Sequence, residues 1–190
     1  MIAGSAGGRP LRAPSGQGTR PTADRVKEAL FSTLGDLSGA IVLDLFAGSG
    51  ALAIEALSRG ADHAVLVEQD RRAAAVVRDN LRTAGVADAA AVVVTSAARF
   101  AAQPEGAPFD LVLVDPPYRL DVRELSDVLA DLVARGGLAP GARVVIERDR
   151  RRDEAPFGFL VHDRDRTYGD TLLRYYRHRP EPADQGAPTT

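Results

Sequence analysis

Ala40-Ile41-Val42-Leu43-Asp44-Leu45-Phe46-Ala47-Gly48-Ser49-Gly50 is a short apolar run that meets an acid and then breaks into a glycine-rich turn. The run reads as a buried strand. The glycines let the backbone turn tightly and approach a ligand before the next helix begins. That helix extends to Arg59 and stops at Gly60. Working outward, further strands are expected at 64–67, 91–95, 109–114 and 142–147, separated by stretches with helical periodicity. One stretch, 71–84, places Ala74, Val77 and Leu81 at helical spacing and ends at Gly85; another, 122–134, is closed by Gly136 and Gly137. Strand and helix in strict alternation imply βα units around a mostly parallel sheet, an α/β fold of Rossmann-like type. Runs at 158–166 and 171–177 are too close together for a helix between them, so they should form an antiparallel hairpin at the sheet edge.

The 190 residues are 45% hydrophobic and 26% charged, enough for one substantial core, so a single domain is expected over 21–179. The absence of cysteine excludes disulfides, thiolate metal sites and a cysteine nucleophile. Neither a signal-like start nor an apolar run of about 18 residues is present, which suits a cytoplasmic protein. Formal net charge is -2, a value silent about nucleic acid, because what matters there is local distribution. Up to residue 27 the distribution is basic: Arg9, Arg12, Arg20, Arg25 and Lys27 stand against only Asp24. Residues 1–20, rich in glycine and proline, suggest an extended arm or small hairpin. A helix over 22–34 follows, with Val26, Ala29, Leu30 and Leu34 on one face and Thr22 or its neighbour as its cap. The proline-bearing tail 180–190 reads as disordered.

In open parallel sheets, ligands lie outside the carboxyl ends of the strands, so those ends supply the candidate site. Phe46, Ala47, Gly48, Ser49 and Gly50 form the turn. Glu68, with Gln69 beside it, ends the second strand about 20 residues beyond the glycines, where an acid commonly accepts from ribose hydroxyls. The glycine spacing alone would also suit a nicotinamide dinucleotide. Asp44 favours S-adenosylmethionine instead, because its carboxylate attracts an ammonium and a sulfonium but repels a pyrophosphate. The adenine is expected near Thr95-Ser96-Ala97, held by Ser96 or by backbone groups.

The fourth strand delivers Asp115-Pro116-Pro117-Tyr118 into the same crevice. Consecutive prolines fix φ and offer no N–H, so the adjacent carbonyls point in stiff, defined directions. A nucleobase amine is flat and poorly nucleophilic until its hydrogens are held. Asp115 and the Pro116 carbonyl can each take one, leaving the lone pair to face a methyl donor, while Tyr118 stacks on the unstacked ring. His63, His162 and His178 show no metal-binding spacing, and no metal is expected.

Four blocks of this sequence resemble the RsmD-type methyltransferases, which modify a guanine N2 in bacterial 16S ribosomal RNA. They are the arm through Arg9 and Leu11; Arg20-Pro21-Thr22-Ala23-Asp24-Arg25-Val26-Lys27-Glu28-Ala29-Leu30-Phe31; the glycine-turn stretch 43–52 with 55–61; and Phe109-Asp110-Leu111-Val112 leading into Asp115-Pro116-Pro117-Tyr118. Tyr168-Gly169-Asp170-Thr171 is also similar. The second block discriminates, because the other two motifs occur in many amino-methyltransferases. The resemblance implies a class I methyltransferase fold with a seven-stranded sheet, S-adenosylmethionine as cofactor, and 16S rRNA of the small subunit, or its assembly intermediate, as partner. The aspartate that such enzymes often place after the third strand is absent here.

RNA contacts are expected from Arg9, Arg12, Arg20, Thr22, Arg25 and Lys27, with Arg166 and Tyr168 near the base. Arg148, Arg150, Arg151 and Arg152 form a second cluster, diluted by Asp149, Asp153 and Glu154, whose role is open. A monomer is expected. Competing readings are an amino-methyltransferase acting on DNA adenine or protein glutamine, a non-catalytic RNA-binding assembly factor, and a dinucleotide oxidoreductase.

Overall fold

The computed structural model describes residues 11–12, 21–106, 108–151 and 157–179, without the side chains of 21–23. In chain order its elements are α1 (Pro21–Leu34), β1 (Ile41–Asp44), α2 (Ala51–Ser58), β2 (His63–Val67), α3 (Arg71–Ala84), a 3-10 turn (Ala87–Ala89), β3 (Ala90–Val93), α4 (Ala97–Ala102), β4 (Phe109–Val114), α5 (Val122–Ala134), β5 (Leu138–Asp149), β6 (Val161–Tyr168) and β7 (Thr171–Arg177). One seven-stranded sheet runs β3-β2-β1-β4-β5-β7-β6. The pairs among β1 to β5 are parallel, whereas β7 runs antiparallel between β5 and β6. The direction of winding reverses between β1 and β4, the point at which sheets of this kind bind ligands outside the carboxyl ends of their strands.

Each strand sends alternate residues to opposite faces, and both faces are covered. On one face Val42, Leu66, Leu113, Val145 and Leu173 pack with Leu30 and Phe31 of α1, Ile54 of α2, and Val77 and Leu81 of α3. On the other, Leu43, Val65, Val112 and Val144 pack with Phe100 of α4 and Leu125 and Leu129 of α5. This three-layer arrangement confirms the α/β reading and the terminal hairpin. Differences fall at boundaries. The strand expected at 142–147 is longer, Leu138–Asp149, because a register shift between Phe109 and Leu111 lets its first residues pair past Pro140 and Gly141. The first helix begins at Pro21, so Thr22 lies in its first turn rather than at its cap, in keeping with proline's preference for the first helical position. The arm apart from Leu11 and Arg12, and the tail from Pro180, lie outside the described residues.

Local chemistry sets the helix ends. The Asp70 carboxylate accepts from the Arg72 and Ala73 N–H groups at the start of α3, and Gly85 closes it at φ 74°. The Arg143 guanidinium donates to the Leu34 carbonyl at 2.6 Å, satisfying the end of α1. Edge strand β6 is exposed and alternates acids with arginines, which disfavours pairing with another chain. Among the described residues no helix is long and apolar enough to cross a membrane.

The tightest backbone approach is at Gly137, where an added Cβ would stand 2.5 Å from Leu132 Cδ1 and 2.7 Å from the Leu132 carbonyl oxygen. Its N–H also donates to that carbonyl at 2.8 Å, and its own carbonyl accepts from Phe109 N–H. Gly137→Ala should therefore lower stability by about 2 kcal/mol or more through forced displacement of α5. Urea denaturation checks this; a loss under about 0.5 kcal/mol would show that α5 can shift freely.

Candidate active site

Four adjacent strands carry the same pattern at or near their carboxyl ends, two apolar residues and an acid: Leu66-Val67-Glu68, Val42-Leu43-Asp44, Leu113-Val114-Asp115 and Val145-Ile146-Glu147. Register aligns them. Asp44 pairs with Leu66 and Leu113, two residues short of Glu68 and Asp115, and Val114 pairs with Ile146, so Glu147 stands beside Asp115. Residues two earlier on each strand, Val42, Leu66, Leu113 and Val145, all belong to the core under α1 to α3. The four carboxylates therefore rise on that face in the spatial order Glu68, Asp44, Asp115, Glu147.

Asp44 is the most constrained, at 1% exposure. Its Oδ2 accepts from the Ala53 N–H at 3.3 Å, in the first turn of α2, while Oδ1 is buried without a partner. Burial raises its carboxyl to about 7, with the Asp115 and Glu68 charges pushing the same way against hydrogen bonds from Ala53 and Phe46 N–H. Glu68 is better satisfied: Oε2 accepts from Gly48 N–H at 2.9 Å and Oε1 from Asp70 N–H at 2.8 Å, so the acid expected to face a ribose also closes the glycine turn. Gly48 and Gly50 both have positive φ, 54° and 78°. At Gly50 a Cβ would meet Val77 and Leu66 at 3.1 and 3.2 Å, whereas at Gly48 it would project into open space. The turn is thus packed from below and open above, and Phe46, Ala47 and Ser49 complete it, with Ala47 N–H donating to the Val67 carbonyl. Gln69 is exposed beside Glu68. Ser96 caps α4, its hydroxyl oxygen accepting from Arg99 N–H at 3.3 Å; its own O–H is left to donate, and Ala97 is buried behind it.

Asp115 meets solvent at the crevice mouth, yet protein crowds it enough to raise its carboxyl, and Glu147 is raised both by burial and by the Asp115 charge. The pair holds one proton between them over neutral pH. Pro116 is buried and Pro117 exposed, and Tyr118 projects with 69% of its surface free. The loop beyond is pinned twice: Leu120 N–H donates to the Pro117 carbonyl at 2.9 Å, and the buried Arg148 guanidinium donates to the Leu120 carbonyl at 3.2 Å. Arg148 is therefore a support of this loop rather than a surface contact for RNA. Arg151 pairs with Asp170 at 3.1 Å, Arg150 is exposed, and Arg152 lies outside the described residues.

The remaining basic candidates divide. Arg12 and Arg25 are exposed; Lys27 is half-buried and paired with Asp24 at 2.9 Å, so it is not a free charge. Arg166 is exposed on β6, opposite Leu173 and so on the face that bears Glu147, while Tyr168 packs partly against the core. Arg9, Arg20 and the Thr22 side chain are outside the described residues. Two hollows, of about 140 Å³ near Arg143 and about 220 Å³ near Arg78, include none of these groups. Among the described residues no three acids or histidines could share a metal ion.

Sequence reasoning missed Glu147 and Asn80 and left the role of Arg148 open. The repeated strand-ending acid was the available signal for Glu147. For Asn80 it was a polar residue on the apolar stripe of α3; nothing local marked Arg148 as buried.

A glycine turn after β1, an acid after β2 and Asp-Pro-Pro-Tyr after β4 on this sheet define a class I, Rossmann-like methyltransferase. A family model described as conserved hypothetical protein 95 matches residues 1–177. Ribosomal RNA small subunit methyltransferase D of Escherichia coli K12 is 38% identical over 184 residues, 95% of this chain and 90% of that one. YlbH of Bacillus subtilis is 39% identical over 183 residues, 94% and 98% of the two chains. The solved structure of E. coli yhhF superposes with a TM-score of 0.81 at 38% identity, covering 95% of this chain and 98% of that one. The chain belongs to this family, the RsmD-type methyltransferases.

The raised Asp44 carboxyl has a consequence for stability. Its proton binds more tightly in the folded state than in the unfolded chain, so its contribution is fully present below about pH 4 and is lost as pH rises through about 7. Asp44→Asn, which keeps an acceptor for Ala53 N–H, should match the wild type near pH 4 and exceed it by a few kcal/mol at pH 8. Thermal unfolding across that range tests this, and equal stability at pH 8 would contradict the buried, uncompensated charge.

Proposed function

We propose that this chain transfers a methyl group from S-adenosylmethionine to the exocyclic N2 of a guanine in 16S ribosomal RNA, acting as a monomer on the small subunit or an assembly intermediate of it. The observation that carries the reading is the alignment of Asp115 and the stiff Pro116-Pro117 tip beside Asp44, whose Oδ1 is buried and unpartnered.

The residues fit the cofactor. An orphaned carboxylate oxygen in a row of acids suits a ligand carrying positive charge and is hostile to a pyrophosphate, which weighs against a dinucleotide. Asp44 would take the cationic portion, the turn from Phe46 to Gly50 its length, Glu68 and Gln69 the ribose, and Ser96 with Ala97 the adenine edge. When bound, S-adenosylmethionine supplies a sulfonium-activated methyl group.

The chain's own residues then act on the base. Asp115 accepts one amine hydrogen and the Pro116 carbonyl the other, which turns the nitrogen lone pair out of conjugation. As the new N–C bond forms, one amine proton leaves to the Asp115 carboxylate, whose raised affinity for protons suits that task, and passes to solvent at the open mouth. Tyr118, largely free in this structure, is the stacking surface for the extruded ring. Arg12, Arg25 and Arg166 are free to meet phosphates; Arg9, Arg20, Thr22 and Lys27 complete the proposed RNA-contacting set, and Tyr168 braces β6. The relatives named as small-subunit rRNA methyltransferases support ribosomal RNA over DNA or a protein amide. The charged β6 edge favours a monomer.

Incubation with small ribosomal subunits and labelled S-adenosylmethionine, followed by digestion to nucleosides, should yield N2-methylguanosine. Label confined to adenine, cytosine or glutamine would remove the substrate assignment. Asp115→Ala should lower turnover by about 10²-fold or more while subunit binding persists; unchanged turnover would remove Asp115 from the chemistry, and subunit binding without any turnover in the wild type would leave only an RNA-binding role. Because Asp115 works ionised, turnover should fall as pH drops through about 6. A flat profile from pH 5 to 8 would argue that the tip takes no part in proton transfer.

A further inference from the structure

Asn80 is the one strongly polar side chain on the inward face of α3, whose other buried residues are Ala74, Val77, Leu81 and Ala84. It is 1% exposed. Burying a carboxamide costs stability unless its hydrogen bonds are made, and here they are made to two backbone segments far apart in sequence. Its Oδ1 accepts from the Arg12 N–H at 2.8 Å, and its Nδ2 donates to the Arg12 carbonyl at 2.8 Å and to the Ser49 carbonyl at 2.9 Å. Both amide hydrogens are thereby used.

We propose that Asn80 is a positioning residue that fastens the N-terminal arm onto the cofactor turn, so that cofactor binding and arm docking reinforce each other. Ser49 lies between Gly48 and Gly50, the two positive-φ positions on which the shape of the turn depends. Arg12 is gripped through backbone atoms alone, which leaves its exposed guanidinium free toward solvent, and Leu11 packs against the adjoining core. A ligand that orders the turn fixes the Ser49 carbonyl and with it the Asn80 amide, and the second pair of bonds then holds the arm at lower entropic cost. Linkage makes the effect reciprocal. The inference rests on the reading of the turn as the S-adenosylmethionine site, but it needs no assumption about the RNA.

S-adenosylhomocysteine serves as probe, with affinity measured by calorimetry and arm docking by hydrogen exchange of the Arg12 amide. In the wild type, the probe should slow that exchange about fivefold or more. Arg12→Pro removes the donated N–H without touching α3 and should weaken probe binding severalfold. Asn80→Asp, which can accept from Arg12 N–H but cannot donate to either carbonyl, should weaken it about tenfold and abolish the response at the Arg12 amide. Arg12→Pro keeps the idea testable should Asn80 variants fail to fold. Equal affinity in wild type and Arg12→Pro, with exchange at Arg12 unmoved by the probe, would overturn the coupling while leaving the cofactor reading intact. Failure of the wild type to bind the probe at all would overturn both.

Discussion

Four carboxylates at the ends of four neighbouring strands, all on one face, are the constraint around which this molecule is organised. Parallel strands in near-equal register bring like charges together, and the sheet cannot relieve them by twisting apart because its interior strands are buried on both faces. Each acid meets the problem differently. Glu68 accepts backbone N–H groups at both oxygens, Asp44 accepts one N–H from α2 and keeps an oxygen without a partner, and Glu147 is raised by burial and by the Asp115 charge. Only the middle of the row is left unsatisfied. Asp44 keeps a buried oxygen without a partner beside the charged Glu68 and Asp115, so the row favours a cationic ligand over an anionic one.

The same row explains why the surrounding backbone is so stiff. An unpaired buried charge tends to pull in water or move toward it, so a site that keeps one must be held by geometry. The glycine turn is closed by Glu68 on one side and by Asn80 on the other, and packed from below by Val77 and Leu66. The proline tip is held by its own φ angles, by the Leu120 turn and by Arg148. The turn and the tip are thus each held from more than one side, so the acids between them keep fixed positions.

Much of this is legible in the sequence. Alternation of apolar runs with helical periodicity specifies the layers, and the closeness of the last two runs specifies the antiparallel hairpin, because those signals are local and repeat along the chain. Asp44, the glycines, Glu68 and Asp115 stand out because each lies at a strand end in an open α/β sheet, a position with a general meaning. What escapes is set by packing across long separations. Arg148 reads as one of a charged cluster, and only the β5 register turns it inward beneath the Asp115 loop. Lys27 reads as a free charge, and only the helical spacing to Asp24 shows that it is not. Asn80 hides on a stripe otherwise defined by its apolar residues, although a lone carboxamide on such a stripe must find partners somewhere.

Glu147 lies between these two cases. As a sequence feature it is the fourth instance of one pattern, and the other three instances each carry a functional argument of their own. Taken as a unit, the pattern puts Glu147 beside Asp115 as soon as β4 and β5 pair in parallel with their apolar runs in step. Its effect is then fixed by electrostatics: a carboxyl raised to about 8 keeps its proton near neutral pH, adds no charge beside Asp115 and so spares that acid a like-charged partner. Arg166, two strands away on the same face, is exposed and clear of the acid row. The acid row and the exposed Arg166 are thus separated along one sheet by the order of its strands, β2-β1-β4-β5 on one side and β7-β6 on the other.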